Sequence, residues 1–189
     1  MTGCFYSARF LLNGWKVMFT KIDLCSMALL KLGEKPIQSW REDSAAAQLA
    51  RTLFDPITET LLAMFPWRFA TQTLVLNKNS DGDFVVPSDV LRILKCEGQI
   101  NGNKIITNTD TLEISAIVKT SPEDFPGYFA TLVAAKLAVE FCIPLIGDAN
   151  VFRMMTSLYE SEYQSAKFVD STSNRQSNID DFSLINSRF

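Results

Sequence analysis

Hydrophobic positions first recur at helical spacing over residues 20–32, where Ile22, Cys25, Leu29 and Leu32 share a face. Thr20 followed by Asp23 makes a capping-box start, Phe19 and Leu24 are spaced for a hydrophobic staple, and Gly33 suits the position just past a helix end. After a loop with Pro36, residues 44–65 carry Leu49, Leu53, Ile57, Leu61 and Met64 along one side of a second helix. Pro56 lacks an amide hydrogen, which predicts a kink or break there, with Asp55 placed to cap the second half.

Beyond Pro66-Trp67 the period shortens. Residues 69–76 alternate and are rich in Thr, Val and Leu, residues 77–83 have loop composition, and residues 84–87 form a short extended piece. Residues 90–97 and 104–107 read as strands joined through Gly98 and Asn101-Gly102-Asn103, a hairpin signal. Residues 111–119 alternate again, with Leu112, Ile114, Ala116 and Val118 on one face. Together these predict one small antiparallel sheet of about four strands.

Helical spacing returns after Ser121-Pro122. Phe125, Phe129, Leu132, Val133, Leu137 and Phe141 line one side, Lys136 and Glu140 the other, and Ala134, Ala135 and Ala138 leave room for another helix to approach. Pro144 and Gly147 end this helix, and Asp148 caps a last one to about residue 167, with Val151, Met155 and Leu158 inward and Phe152, Tyr159 and Tyr163 on an adjacent row. The expected fold is α+β: two helical pairs forming a bundle, with a small antiparallel sheet inserted between them. By domain, residues 18–169 form the body, with helices over 20–65 and 122–167 and the β insertion over 69–119.

Residues 171–178 are polar and aperiodic, as a linker or extended arm is, yet Phe182, Leu184, Ile185 and Phe189 follow on the same tail. Large apolar groups with no core of their own imply a partner surface or a return to the chain's own helices. Residues 1–17 hold one short apolar patch, Phe10-Leu11-Leu12, broken by Arg9, Asn13 and Gly14, which is too short for a secretory signal. They read either as a product of start-codon choice or as an arm that packs on a neighbour.

Composition narrows the chemistry. The 189 residues are 47% hydrophobic and 21% charged, material for one compact domain with or without an appendage. No uncharged apolar run reaches the ~18 residues that imply a membrane span. A net charge of −3 argues against a general nucleic-acid coat. The chain has no histidine, which removes the commonest general base, the usual zinc sites and the Ser-His and Cys-His nucleophile pairs. Cys4, Cys25, Cys96 and Cys142 stand far apart without C-x-x-C spacing and read as buried free thiols in a reducing cytoplasm.

Asp81 and Asp83 flank Gly82, but the other ligands of a calcium loop are missing and a turn explains them. Glu42-Asp43 suits the positive end of a helix dipole, and Asp180-Asp181 lies in the tail. No Walker loop, G-x-G-x-x-G or G-x-S-x-G occurs. The expectation is a protein that is not an enzyme, with no catalytic, cofactor-binding or metal residues. Lys78, Arg92, Lys95 and Lys104 cluster in the β region, either as its solvated face or as a face toward a polyanion or partner.

Several segments in order resemble the head–tail adaptor family of tailed bacteriophages, the tail tubular protein A group among them, with similar proteins in prophages and gene transfer agents. They begin with Asp23-Leu24-Cys25-Ser26-Met27-Ala28-Leu29-Leu30-Lys31-Leu32-Gly33-Glu34. Asp43-Ser44 and Ala47 lead through Phe54-Asp55 and Leu61-Leu62 to Pro66-Trp67-Arg68-Phe69-Ala70. Val90-Leu91-Arg92-Ile93-Leu94, the turn at Asn101-Gly102, the helix from Phe125 and its exit Pro144-Leu145-Ile146-Gly147 complete the series over residues 18–170. Pro56 inside a helix usually read as continuous, and residues 1–17 before the expected start, depart from the pattern.

The resemblance implies a structural protein of a virion or phage-like particle, assembled in the bacterial host cytoplasm. It would form a ring, usually dodecameric, under the portal protein and connect it to the downstream tail or tail-tube protein. DNA would pass through the ring without sequence-specific binding, and no membrane is involved. On this reading residues 170–189 are a portal-docking arm with Phe182, Leu184, Ile185 and Phe189 as anchors. Ala134, Ala135 and Ala138 pack the ring wall, and Lys78, Arg92, Lys95 and Lys104 face the channel or a partner. A tail-completion or terminator protein of the same particle and a small cellular ligand-binding protein are the alternatives.

Overall fold

A computed structural model describes residues 18–79 and 82–172. The fold is α+β. Among the described residues four helices, α1 (Lys21–Lys31), α2 (Ala45–Met64), α3 (Gly127–Leu145) and α4 (Ala149–Thr172), enclose a β insertion between α2 and α3. Its strands are β1 (Thr71–Asn77), β2 (Phe84–Val85), β3 (Val90–Cys96), β4 (Gln99–Asn101), β5 (Lys104–Ile106) and β6 (Thr111–Val118). Residues 1–17, the tail anchors Phe182, Leu184, Ile185 and Phe189, Asp81, Asp180, Asp181 and Cys4 lie outside the described residues.

α1 starts and stops where local chemistry dictates. Thr20 Oγ1 accepts from the Asp23 amide while the Asp23 carboxylate accepts from the Thr20 amide, which satisfies two N-terminal donors at once. Gly33 follows with a φ of 78°, the left-handed conformation that glycine adopts without strain. α2 opens on Ser44, whose hydroxyl accepts from the Ala47 amide.

Of the kink or break expected at Pro56, the break does not occur: α2 runs through it. Pro56 and Thr52 both lie on the exposed side of the helix, so the carbonyl that loses its amide partner is within reach of water. Asp55 does not cap a new helix but receives Lys21 Nζ at 2.7 Å. The buried face of α2 is also rotated from the expected one. It consists of Ala47, Ala50, Phe54, Thr58, Leu61 and Leu62, while Leu49, Leu53 and Ile57 are half-buried and Met64 is 49% exposed.

α3 is the central helix, with α1, α2 and α4 packed around it. Its 19 residues are apolar enough in length and composition to cross a membrane, yet most are buried among the other helices, as in a core helix. Lys136 and Glu140 pair at 2.7 Å on its outer side. α4 extends five residues past the expected end near Lys167, because Ala166 and Asp170 continue its inward row.

The insertion contains two three-stranded antiparallel sheets among the described residues, ordered β1-β6-β3 and β2-β5-β4, rather than one. The turn at Asn101-Gly102-Asn103 joins β4 to β5, not β3 to β5. Gly98 sits at the crossing between sheets, where a Cβ would meet Ile105 Cγ2 at 2.8 Å, so only glycine lets the backbone pass. Leu76, Phe84, Ile105, Leu112, Ile114 and Ala116 form a core of their own, distinct from the helical core around Phe54, Trp67 and Phe129. The insertion thus has a core of its own, while Ile117 of β6 and Leu91 and Leu94 of β3 pack on the helical core.

Candidate interaction surfaces

The stripe Ala134, Ala135 and Ala138 is enclosed by the chain itself, at 0–1% exposure. Small residues there let α3 be packed closely on several sides, so the close approach they permit is made within one chain and not to a neighbouring copy.

The four basic residues do not form one face. Arg92 and Lys95 lie on β3, where register shifts between Val90 and Arg92 and between Ile93 and Lys95 turn both side chains outward. Arg92 Nη1 donates to the Ala63 carbonyl at 3.0 Å, a cation against the C-terminal end of α2. Lys104 on β5 in the other sheet meets Asp83 at 3.0 Å, and Lys78 meets Asp110 at 3.7 Å. The group is dispersed over two sheets and largely answered by local acceptors.

Exposed large apolar side chains divide between the two parts. Val75, Val85, Ile100 and Ile106 stand out from the insertion at 64, 44, 50 and 48% exposure. Leu30, Ile143, Met154, Phe168 and Val169 do so from the helical layer. A shallow groove of 300 Å³ runs between α2 and α3, lined by Leu53, Pro56, Ile57, Leu61, Met64 and the Lys136–Glu140 pair.

A cleft of 380 Å³ lies where α1, α2 and the chain leaving β6 meet. Lys21 with Asp55 and Lys119 with Glu59 pair across it, and Phe54, Leu62 and Pro122 form its apolar wall. Lys21 Nζ also lies 5.4 Å from the centre of the Phe54 ring. These lysines and carboxylates neutralise one another, and such half-exposed pairs contribute little stability. Thr58 at this cleft is 5% exposed and its hydroxyl has no hydrogen-bond partner among the described residues. Thr58→Val, which removes the hydroxyl at nearly constant shape, is expected to raise unfolding free energy by about 1 kcal/mol. Urea denaturation measures it, and a loss of stability would show that the hydroxyl has a use.

The C-terminal end of α4 is tied down. Asp170 is 2% exposed; its carboxylate accepts from the Arg68 amide at 3.2 and 3.3 Å and from the Tyr128 hydroxyl at 2.6 Å. Sequence reasoning assigned this residue to the arm. The signal was its place four residues after Ala166 and seven after Tyr163, the helical period of the inward row.

Among the described residues Cys25, Cys96 and Cys142 are free thiols. Burial pushes the Cys25 thiol up to about 12 and raises that of Cys142, so neither is a nucleophilic thiolate at neutral pH. No group of three or more His, Cys, Asp or Glu among the described residues could hold a metal ion. No protein-family model matches the chain, and no curated protein matches it.

Proposed function

We propose that this chain is a structural head–tail adaptor of a phage, prophage or gene transfer agent particle. It forms a ring under the portal, joins it to the next tail protein and continues the DNA channel. The resemblance over residues 18–170 motivates the reading. The structural observation that supports it is the presence of exposed apolar groups on both the helical layer and the insertion of one small chain. A connector needs two such surfaces, one for each neighbour, whereas a ligand-binding protein needs one enclosed polar pocket. With the alanine stripe buried, ring contacts fall to exposed groups such as Leu30 on α1 and Met154 on α4.

The chain therefore works at the head–tail interface of a particle assembled in the bacterial cytoplasm. DNA passes it without sequence-specific contacts, which suits a net charge of −3, since strong attraction would hold DNA rather than let it slide. Charge reversal at the dispersed Lys78, Arg92, Lys95 and Lys104 that leaves DNA ejection unchanged would remove these residues from the channel.

Sedimentation of the purified protein, alone and mixed with the portal protein of the same genome, tests the reading. Rings are expected only on the portal, because many symmetric copies multiply a weak single contact through effective concentration. Deleting residues 182–189 is expected to abolish attachment. A chain that stays monomeric beside the portal at micromolar concentration would sink the adaptor reading. A chain that attaches only to the tail tube would favour a terminator.

A further inference from the structure

We infer that the groove between α2 and α3 is the docking site of this chain's own C-terminal segment, residues 180–189, in the free protein. The inference does not need the adaptor reading. α2 presents two apolar stripes, and only one is fully buried in the helical core. The other, Leu53, Ile57 and Met64 with Pro56, walls a groove of 300 Å³ whose far side is the Lys136–Glu140 pair of α3.

The tail's exit is fixed beside this groove. Asp170 binds the Arg68 amide, four residues past Met64, and the Tyr128 hydroxyl, in the first turn of α3. The C-terminal end of α2 and the N-terminal end of α3 therefore meet beside the last described turn of α4, which runs through Thr172. Residues 173–179 reach roughly 23 Å when extended, enough to turn back along α2. The stripe from Leu53 to Met64 is about 16 Å long, and residues 180–189 wound as a helix would span about 15 Å.

Pattern and charge agree with this occupant. Phe182, Ile185 and Phe189 recur at i, i+3 and i+7, the spacing that sets apolar anchors on one helical face. Moving away from the exit along α3, Lys136 comes first and Glu140 one turn later. Moving along the tail in the same direction, Asp180 and Asp181 come first and Arg188 last. Each charged group of the tail thus meets its opposite in the groove.

Oxidative cross-linking of the full chain at submicromolar concentration tests the contact. A variant carrying Met64→Cys and Ile185→Cys is compared with one carrying Ile100→Cys and Ile185→Cys; both Met64 and Ile100 are half-exposed, so neither change disturbs a core. The Met64 pair is expected to close as a monomer about tenfold faster or more, since docking raises the effective concentration of the two thiols. Lys136→Glu is expected to slow closure, and adding Asp180→Lys with Asp181→Lys to restore it. Equal closure rates for the two pairs would overturn the inference. So would a cross-linked dimer as the main product, which would give the groove to a neighbour's tail. Slowing by Lys136→Glu without restoration would overturn the charge register.

Discussion

Trp67→Ala is expected to lower the unfolding free energy by about 3–5 kcal/mol, a large share of the ~5–15 kcal/mol that holds a domain together. The indole is fully buried at the junction of the helical layer and the insertion. Its ring centre lies 4.8 Å from that of Phe65 and 5.1 Å from that of Phe129, with Phe69, Tyr128 and Tyr163 further out around it. Truncation removes the shared partner of the end of α2, the approach to β1, α3 and α4 at once, so the cavity has no single element that collapses into it. A second loss adds to the first. Nε1–H donates to the Leu61 carbonyl at 2.8 Å, in the last turn of α2, where carbonyls run short of amide partners. Trp67→Phe keeps most of the apolar area and loses that bond, so it is expected to cost about 1–3 kcal/mol. Urea denaturation followed by circular dichroism separates the two variants. A cost below about 1 kcal/mol for alanine would mean that the aromatic cluster does not carry the junction.

What was legible in the sequence was mostly what is decided within one turn or one strand. Thr20, Asp23 and Gly33 bound α1 because capping chemistry is local, and every residue expected on the buried side of α3 is buried. In β6, alternation placed Leu112, Ile114, Ala116 and Val118 inward, as found. Choices between competing faces were not legible. α2 buries Ala47 and Ala50 beside Phe54, because small residues let neighbouring helices approach, and leaves larger Leu53 and Ile57 half out. The same logic defeated the alanine stripe of α3: a face suited to close packing is used by the chain's own helices before any neighbour. The second sheet was hidden because β4 has only three residues, all exposed, and no hydrophobic alternation marks it. Of the candidate surfaces, the four basic residues were found in sequence but not their separation onto two sheets. Asp170 was missed because a carboxylate ordinarily signals solvent, and only its partners Arg68 and Tyr128 reveal why it is inside.

Asp170→Ala is expected to cost about 3–5 kcal/mol, since it takes the acceptor from two donors, each bonded to a charged group and each worth about 1.5–3 kcal/mol. Asp170→Asn keeps an acceptor oxygen and is expected to cost less. Loss of the tie would free the last turns of α4 and with them the starting point of the tail. The cross-link between Met64→Cys and Ile185→Cys is then expected to slow in an Asp170→Asn background that remains folded. An unchanged rate would mean that the tail finds its groove without a fixed exit. Alkaline titration supplies an independent reading of the same contact. The Tyr128 hydroxyl is held well above its ordinary value of 10.0, first by burial, then by its bond to the Asp170 carboxylate and by that negative charge. Above pH 10 the unfolded chain therefore releases this proton while the folded chain keeps it. The unfolded state then binds fewer protons, so the contribution to stability, complete below pH 10, falls as pH rises toward the folded value. Tyr128→Phe removes the titrating group and is expected to flatten that alkaline decline, measured by urea denaturation between neutral pH and pH 11. Combined with Asp170→Ala in a double-mutant cycle, the two changes are expected to be strongly non-additive, because each removes the same hydrogen bond. Additive costs would separate the tyrosine from the tie and leave the Arg68 amide as the group that holds the end of α4.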